Sequence, residues 1–282
     1  MQKKCYFLLA HEHLHNWIGS KLKNNEQEEL NKWFTEGFTD YYARVIALKS
    51  GGVSLGEFID SCNLFLQYYF LSPVINEPNT RIESDYWHNY DIRKLSYYRG
   101  FVFAIYLNHL IKQNSNTYSL DNVILDLYNI TKHDKDNFSS NLFQKIAKPY
   151  VGRSITAEIS RFIDKGETID LAELIDILPI EKSVIGRYDP GFDMAIFDKE
   201  KVIRNIKKTS NAYKAGLRDG DVIVRHSFWR NNPNKTMILK TKDKIFRFKP
   251  VSQDNKVTIY QIKENLSPEE ESAIKQFFNV KL

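Results

Sequence analysis

Apolar residues recur at helical spacing through the first 165 or so residues, and that regularity stops between Gly166 and Pro179. Helices are predicted over about Cys5–Leu22, Leu30–Leu48, Tyr97–Ile111, Phe138–Ala147 and Ser154–Ile163. Ser54 with Glu57 three residues later is a capping-box signature for a helix running through Phe65, and Ser119-Leu120-Asp121 opens another. The Pro-, Asn- and charge-rich stretch Ser72–Asp91 reads as a loop. Downstream, short β-branched and aromatic runs broken by Gly, Pro and Asn read as strands, at 195–197, 222–224, 236–239, 244–248 and 256–262. A boundary therefore falls near residue 180. The expected fold is α+β: a helical domain over 1–178, a small β-rich domain over 180–265, and a helical tail over 266–282.

Composition narrows the partners. With 42% apolar and 27% charged residues the chain is of ordinary globular make-up. Its 40 basic and 35 acidic residues leave a small, dispersed excess, which gives no reason to expect nucleic acid. Two cysteines, Cys5 and Cys62, are too few for a disulfide framework, and Cys62 reads as a core thiol. No apolar run approaches the ~18 residues of a membrane span. The first ten residues are too short in their apolar part for a secretory signal, so a cytoplasmic location is expected.

His11-Glu12-His13-Leu14-His15 lies on a predicted helix. Spacing of four residues puts His11 and His15 on one face, where both imidazoles can reach a single Zn²⁺. Glu12 is then placed to take a proton from water, and His13 reads as structural. The next helix offers Glu36 and Asp40, again four apart, amid Trp33, Phe34, Phe38, Tyr41 and Tyr42. Glu36 can close a His-His-Glu ligand set, and Asp40 can accept the second N–H of a ligand imidazole. Solvated carboxylates are the competing reading, which the aromatic surroundings disfavour. His88, His109, His133 and His226 have no ligand-spaced partner.

These residues, with Trp33 through Tyr42 about twenty positions after His15-Asn16-Trp17, resemble the glycyl aminopeptidase family of gluzincin metallopeptidases. Tyr97-Tyr98-Arg99-Gly100-Phe101 is similar to the Tyr-x-Lys/Arg-Gly motif of gluzincin aminopeptidases, and Ser119-Leu120-Asp121 to a helix start of the family. The resemblance implies one zinc per chain held by His11, His15 and Glu36, with Glu12 as general base. It implies Tyr97 as the hydroxyl that stabilises the oxyanion, Tyr98 being the alternative; Arg99 reads as solvated. Members carry a β-rich domain and several strands ahead of the zinc helix, which here begins almost at Met1. On that reading the substrate cradle is incomplete, as in a gene fragment, a split protein completed by a partner, or a remnant that binds metal without turnover. The uncovered apolar face then predicts poor solubility alone or association with a partner chain.

Ser210 through Ile223 resembles the core of PDZ domains, with Gly216 and Gly220 allowing the turns. Pro190-Gly191-Phe192-Asp193 then occupies the place of the peptide-binding loop, giving Gly191 and Phe192 as candidate peptide contacts, although Asp193 would oppose a C-terminal carboxylate. The expected function is zinc-dependent, aminopeptidase-like hydrolysis of a peptide or protein substrate. The alternative is a catalytically impaired chain that binds peptides through its PDZ-like part.

Overall fold

A computed structural model describes residues 2–22, 28–132 and 138–280, so His133 lies outside the described residues. Among the described residues the fold is α+β, about half helical, with two small sheets. Its contacts divide it into two units, Met1–Glu181 with Tyr260–Leu282, and Lys182–Ile259.

In the first unit, α1 (Gln2–Leu14) ends one residue before His15. The predicted helix after it begins as one π turn, Trp33–Phe38, that runs directly into α2 (Thr39–Lys49). In α3 (Leu55–Phe70) the predicted capping box forms, with Ser54 N–H donating to the Glu57 carboxylate at 2.9 Å and Glu57 N–H donating back to the Ser54 hydroxyl. The stretch expected as loop contains α4 (Asn79–Asp85), a correction. Its Asn79 side chain donates to the Leu30 carbonyl at 2.7 Å, a tertiary bond invisible to local periodicity. Asn89 caps α5 (Tyr90–Asn114) by accepting from the amides of Asp91 and Ile92, so this helix starts seven residues before the expected Tyr97. Then come α6 (Leu120–Thr131), α7 (Ser140–Val151) and the single turn α8 (Thr156–Glu158), which leads into a second π turn, Ile159–Asp164.

Trp33 is the hub of this unit's aromatic core, edge-on to Phe38, Phe103 and Phe143 with ring centroids 5.6, 5.7 and 5.8 Å away. Such pairs contribute roughly 0.5–1.5 kcal/mol each beyond area burial. Cys62 is buried as expected, and burial pushes its thiol up to about 12. Arg99 corrects the solvated reading: it is fully buried, and its guanidinium donates to the carbonyls of Ile75 and Glu77. It ties α5 to the segment before α4, and desolvation lowers it to about 10.

The chain leaves the first unit within β1 (Ile180–Tyr188). Residues 195–197, expected as strand, lie in α9 (Met194–Glu200), because Asp193 caps the amides of Ala195 and Ile196 and starts a helix. After α10 (Asn211–Lys214), Val222 makes only an isolated bridge to Val202, and the sheet begins at β2 (Arg225–Ser227), later than expected. β2, β3 (Met237–Lys240) and β4 (Ile245–Phe248) form an antiparallel sheet in that order, with Leu239 opposite both His226 and Phe246. Phe197, Ile203, Leu217, Met237 and Leu239 fill the unit's core. β5 (Val251–Ile262) pairs with β1 and returns the chain to the first unit, where α11 (Pro268–Phe277) closes the fold. No helix among the described residues is long and apolar enough to cross a membrane.

Candidate metal centre

α1 and the π turn bring His11, His15 and Glu36 together. His11 Nε2 lies 3.0 Å from His15 Nε2 and 3.3 Å from Glu36 Oε2, and His15 Nε2 lies 3.5 Å from that same oxygen. Ligands held about 2.0–2.1 Å from a tetrahedral zinc stand about 3.3–3.4 Å from one another, so the three atoms already have the spacing of one face of such a site. Among the described residues this is the cluster of His, Cys, Asp and Glu side chains able to hold a metal ion.

The hydrogen bonds at the far side of each ring identify what the near side offers. His15 Nδ1 faces the Ile18 carbonyl at 3.0 Å, which can only accept, so Nδ1 carries the proton. His11 Nδ1 faces Asp40 Oδ1 at 3.3 Å, again an acceptor. In the neutral rings both Nε2 atoms therefore present lone pairs, aimed at each other and at a carboxylate oxygen. Only positive charge relieves that convergence, supplied by protons or by a cation. Without a cation the protons come: burial by itself would lower His11, but its bonds to Asp40 and Glu36 prevail and raise it to about 9. Glu36 likewise raises His15, against the effect of burial. Burial by itself would raise Glu36, yet the two imidazoles hold it well below the usual carboxylate range.

Asp40 is itself held. Arg44, one turn further along α2, donates to Asp40 Oδ1 at 2.9 Å and to its carbonyl at 2.7 Å. The Arg44 guanidinium is buried 3.6 Å from the centroid of the Phe65 ring. Sequence reasoning passed over Arg44, although the spacing Glu36, Asp40, Arg44 repeats every four residues. On the other side of Glu36, Lys32 Nζ lies 3.7 Å from Oε1 and 2.6 Å from Glu28. Lys32, Asn31, Thr35 and Glu28 line a cavity of about 210 Å³ that opens beside His15 and Glu36.

Tyr97 stacks parallel to the His11 ring with centroids 6.2 Å apart, and its hydroxyl is 3.4 Å from that of Tyr86. Burial first, and then the Glu36 charge, push the Tyr97 phenol far above its ordinary value, so it stays a protonated donor. Tyr98 instead packs on Phe65 and Tyr68, 5.3 and 5.2 Å between centroids. Tyr86 carries no sequence signal; it reaches the site because α4 packs against α5. Glu12 is exposed on α1 beside His11, and His13 is exposed with its ring edge-on to Trp17. His109 is buried on α5 with both ring nitrogens unpartnered, and burial lowers its pKa.

In the second unit, the Gly191 amide donates to Asp189 at 2.8 Å and the Asp193 amide to the Arg204 carbonyl at 2.9 Å. Phe192 is buried in that unit's core. Two of the amides in this loop are thus bonded internally, and a helix, α9, follows it.

The sequence model of the M61 glycyl aminopeptidase family matches residues 4–102. No curated protein matches the chain. The crystal structure of an aminopeptidase N family protein from Idiomarina loihiensis resembles it with a TM-score of 0.63 at 16% identity, over 98% of this chain and 55% of that one. The chain thus spans about half the length of that protein, and the likeness is one of fold. The M61 match, from residue 4 to residue 102, takes in His11, Glu12, His15, Glu36, Asp40 and Tyr97 alike.

Proposed function

We propose that the chain is a zinc-dependent peptidase of aminopeptidase type, with His11, His15 and Glu36 as metal ligands and Glu12 as general base. One observation carries the reading: His11 Nε2, His15 Nε2 and Glu36 Oε2 converge at 3.0–3.5 Å, while the Nδ1 of each ring faces an acceptor of its own. Two nitrogens and one oxygen suit zinc, with a position left for water. The M61 match over the same residues supplies the reaction class.

Zinc bound there would polarise the scissile carbonyl and lower the pKa of a water to about 7. Glu12, exposed next to His11, takes the proton of the attacking water and delivers it to the leaving amine. Tyr97 donates its hydroxyl hydrogen to the oxyanion as charge develops, and the Tyr86 hydroxyl orients it. Asp40 fixes the His11 tautomer, and Arg44 fixes Asp40.

Metal analysis combined with a library of aminoacyl and peptide substrates tests this. The expected result is about one zinc per chain, lost in His11→Ala. Glu12→Gln keeps the zinc and loses about 10²–10⁴-fold in hydrolysis. Tyr97→Phe lowers kcat by about 10²–10³ with KM little changed. Stoichiometric zinc without hydrolysis of any library member refutes the catalytic reading and leaves the site.

A further inference from the structure

Lys32 is an ammonium in an unexpected place. It is 7% exposed, lies one helical turn before a proposed ligand, and stands on the cluster's own rim. A buried charge costs free energy unless paired, and a cation beside a cation site opposes metal binding. Glu28 pairs with it at 2.6 Å, but the Glu28 side chain is 56% exposed and needs no such partner to be solvated. Glu28 and the Tyr86 ring, whose centroid is 5.3 Å from Nζ, hold the ammonium there, but a methionine would pack in the same space without opposing a bound cation, so packing does not account for the charge.

The geometry accounts for it. The two oxygens of Glu36 are not equivalent: Oε2 faces His11 and His15 at 3.3 and 3.5 Å, whereas Oε1 faces Lys32 at 3.7 Å. The arrangement runs along one strip of backbone, because Glu28, Lys32 and Glu36 succeed each other every four residues. A carboxylate with neither oxygen engaged can rotate and grip a cation with both. We infer that Lys32 is a positioning residue that reserves Oε1 of Glu36, so that Glu36 meets the cation through Oε2 alone. This rests on the metal reading above and goes beyond it, since three ligands alone do not specify how many atoms Glu36 contributes. Two consequences follow from the charge. A coordination position stays available for water and substrate, and electron density is drawn from the carboxylate, leaving the ion more electrophilic at some cost in affinity.

The test uses the full chain loaded with Co²⁺, whose visible absorption reports coordination number, with affinity read by competition against a chelator. Wild type and Lys32→Arg are expected to share one intense, four-coordinate spectrum. Lys32→Met and Lys32→Gln are expected to show a weaker, shifted band, as Oε1 joins the ion, and to bind Co²⁺ about tenfold more tightly once the neighbouring charge is gone. Circular dichroism identifies the variants that are folded, and either neutral variant suffices. An unchanged spectrum, or weaker binding in the folded neutral variants, overturns the role of Lys32 while the metal site stands. A wild-type chain that takes up neither Co²⁺ nor Zn²⁺ overturns the metal reading itself, and this inference with it.

Discussion

Arg44 touches none of the three proposed ligands, yet it holds Asp40, which in turn holds His11. Arg44→Met should therefore cost about 10–100-fold in zinc affinity, the usual effect of losing an outer-shell partner. Arg44→Lys should restore only part of it, because a point charge cannot reproduce two directed bonds to one residue; chelator competition measures both. His11 gives a pH signature. In metal-free protein it is raised to about 9 from the ordinary 6.5 of a histidine, so the folded state keeps a proton the unfolded chain releases. That stabilisation is full below about pH 6.5 and is lost as pH rises through about 9, amounting to about 3 kcal/mol. Urea unfolding in chelator should show this fall, and saturating zinc should reverse it, since protons then compete with the metal. At this scale Glu36 and Asp40 were legible as carboxylates four apart among aromatics, with His11 and His15 spaced the same way. Arg99 was not, because nothing local distinguishes a buried arginine that donates to three distant carbonyls from a solvated one.

At the scale of elements, the π turn is what aims Glu36. Gly37, inside that turn, lies flush against Gly100 of α5, and a Cβ on Gly100 would run into the Trp33 carbonyl and the Gly37 backbone. The glycines of the two sequence motifs are thus a single contact, and Tyr97 sits one turn before it, beside His11. Gly100→Ala should destabilise the protein by about 3 kcal/mol or more, since backbone cannot yield as a side chain does. Zinc affinity should fall with it, because separating the π turn from α5 also displaces Glu36; denaturant unfolding and metal titration of the one variant read both effects. A helix with its own signal was readable in advance: Ser54 with Glu57 marked α3. The π turn was not, because its backbone lies against Gly100 of α5, a contact between elements that no local residue pattern encodes. α9 was misread for a different reason: Ala195-Ile196-Phe197 looks like strand until Asp193 is recognised as its cap.

Across the whole molecule, the described chain forms two units but only the first carries the proposed ligands. That unit is closed by its last segment. Asn63 exchanges two hydrogen bonds with the backbone of Ile262, at 2.8 and 2.7 Å, and Asn108 donates to the Phe277 carbonyl at 2.9 Å. Phe278 packs on Phe58 with ring centroids 4.9 Å apart. Phe277 and Phe278, in the stretch set apart as a tail by sequence reading, are thus buried in the unit that holds the proposed ligands. A ligand that binds only the folded state stabilises it by about 4 kcal/mol when present at about a thousand times its dissociation constant. Zinc should therefore raise the unfolding temperature of the first unit and leave that of the second where it is. Scanning calorimetry should resolve two transitions, of which chelator moves one. Removing residues 267–282 should lower the same chelator-sensitive transition, because Asn108 loses its acceptor and Phe58 its cover. A scan in which chelator shifts both transitions equally, or neither, contradicts a metal held by the first unit alone.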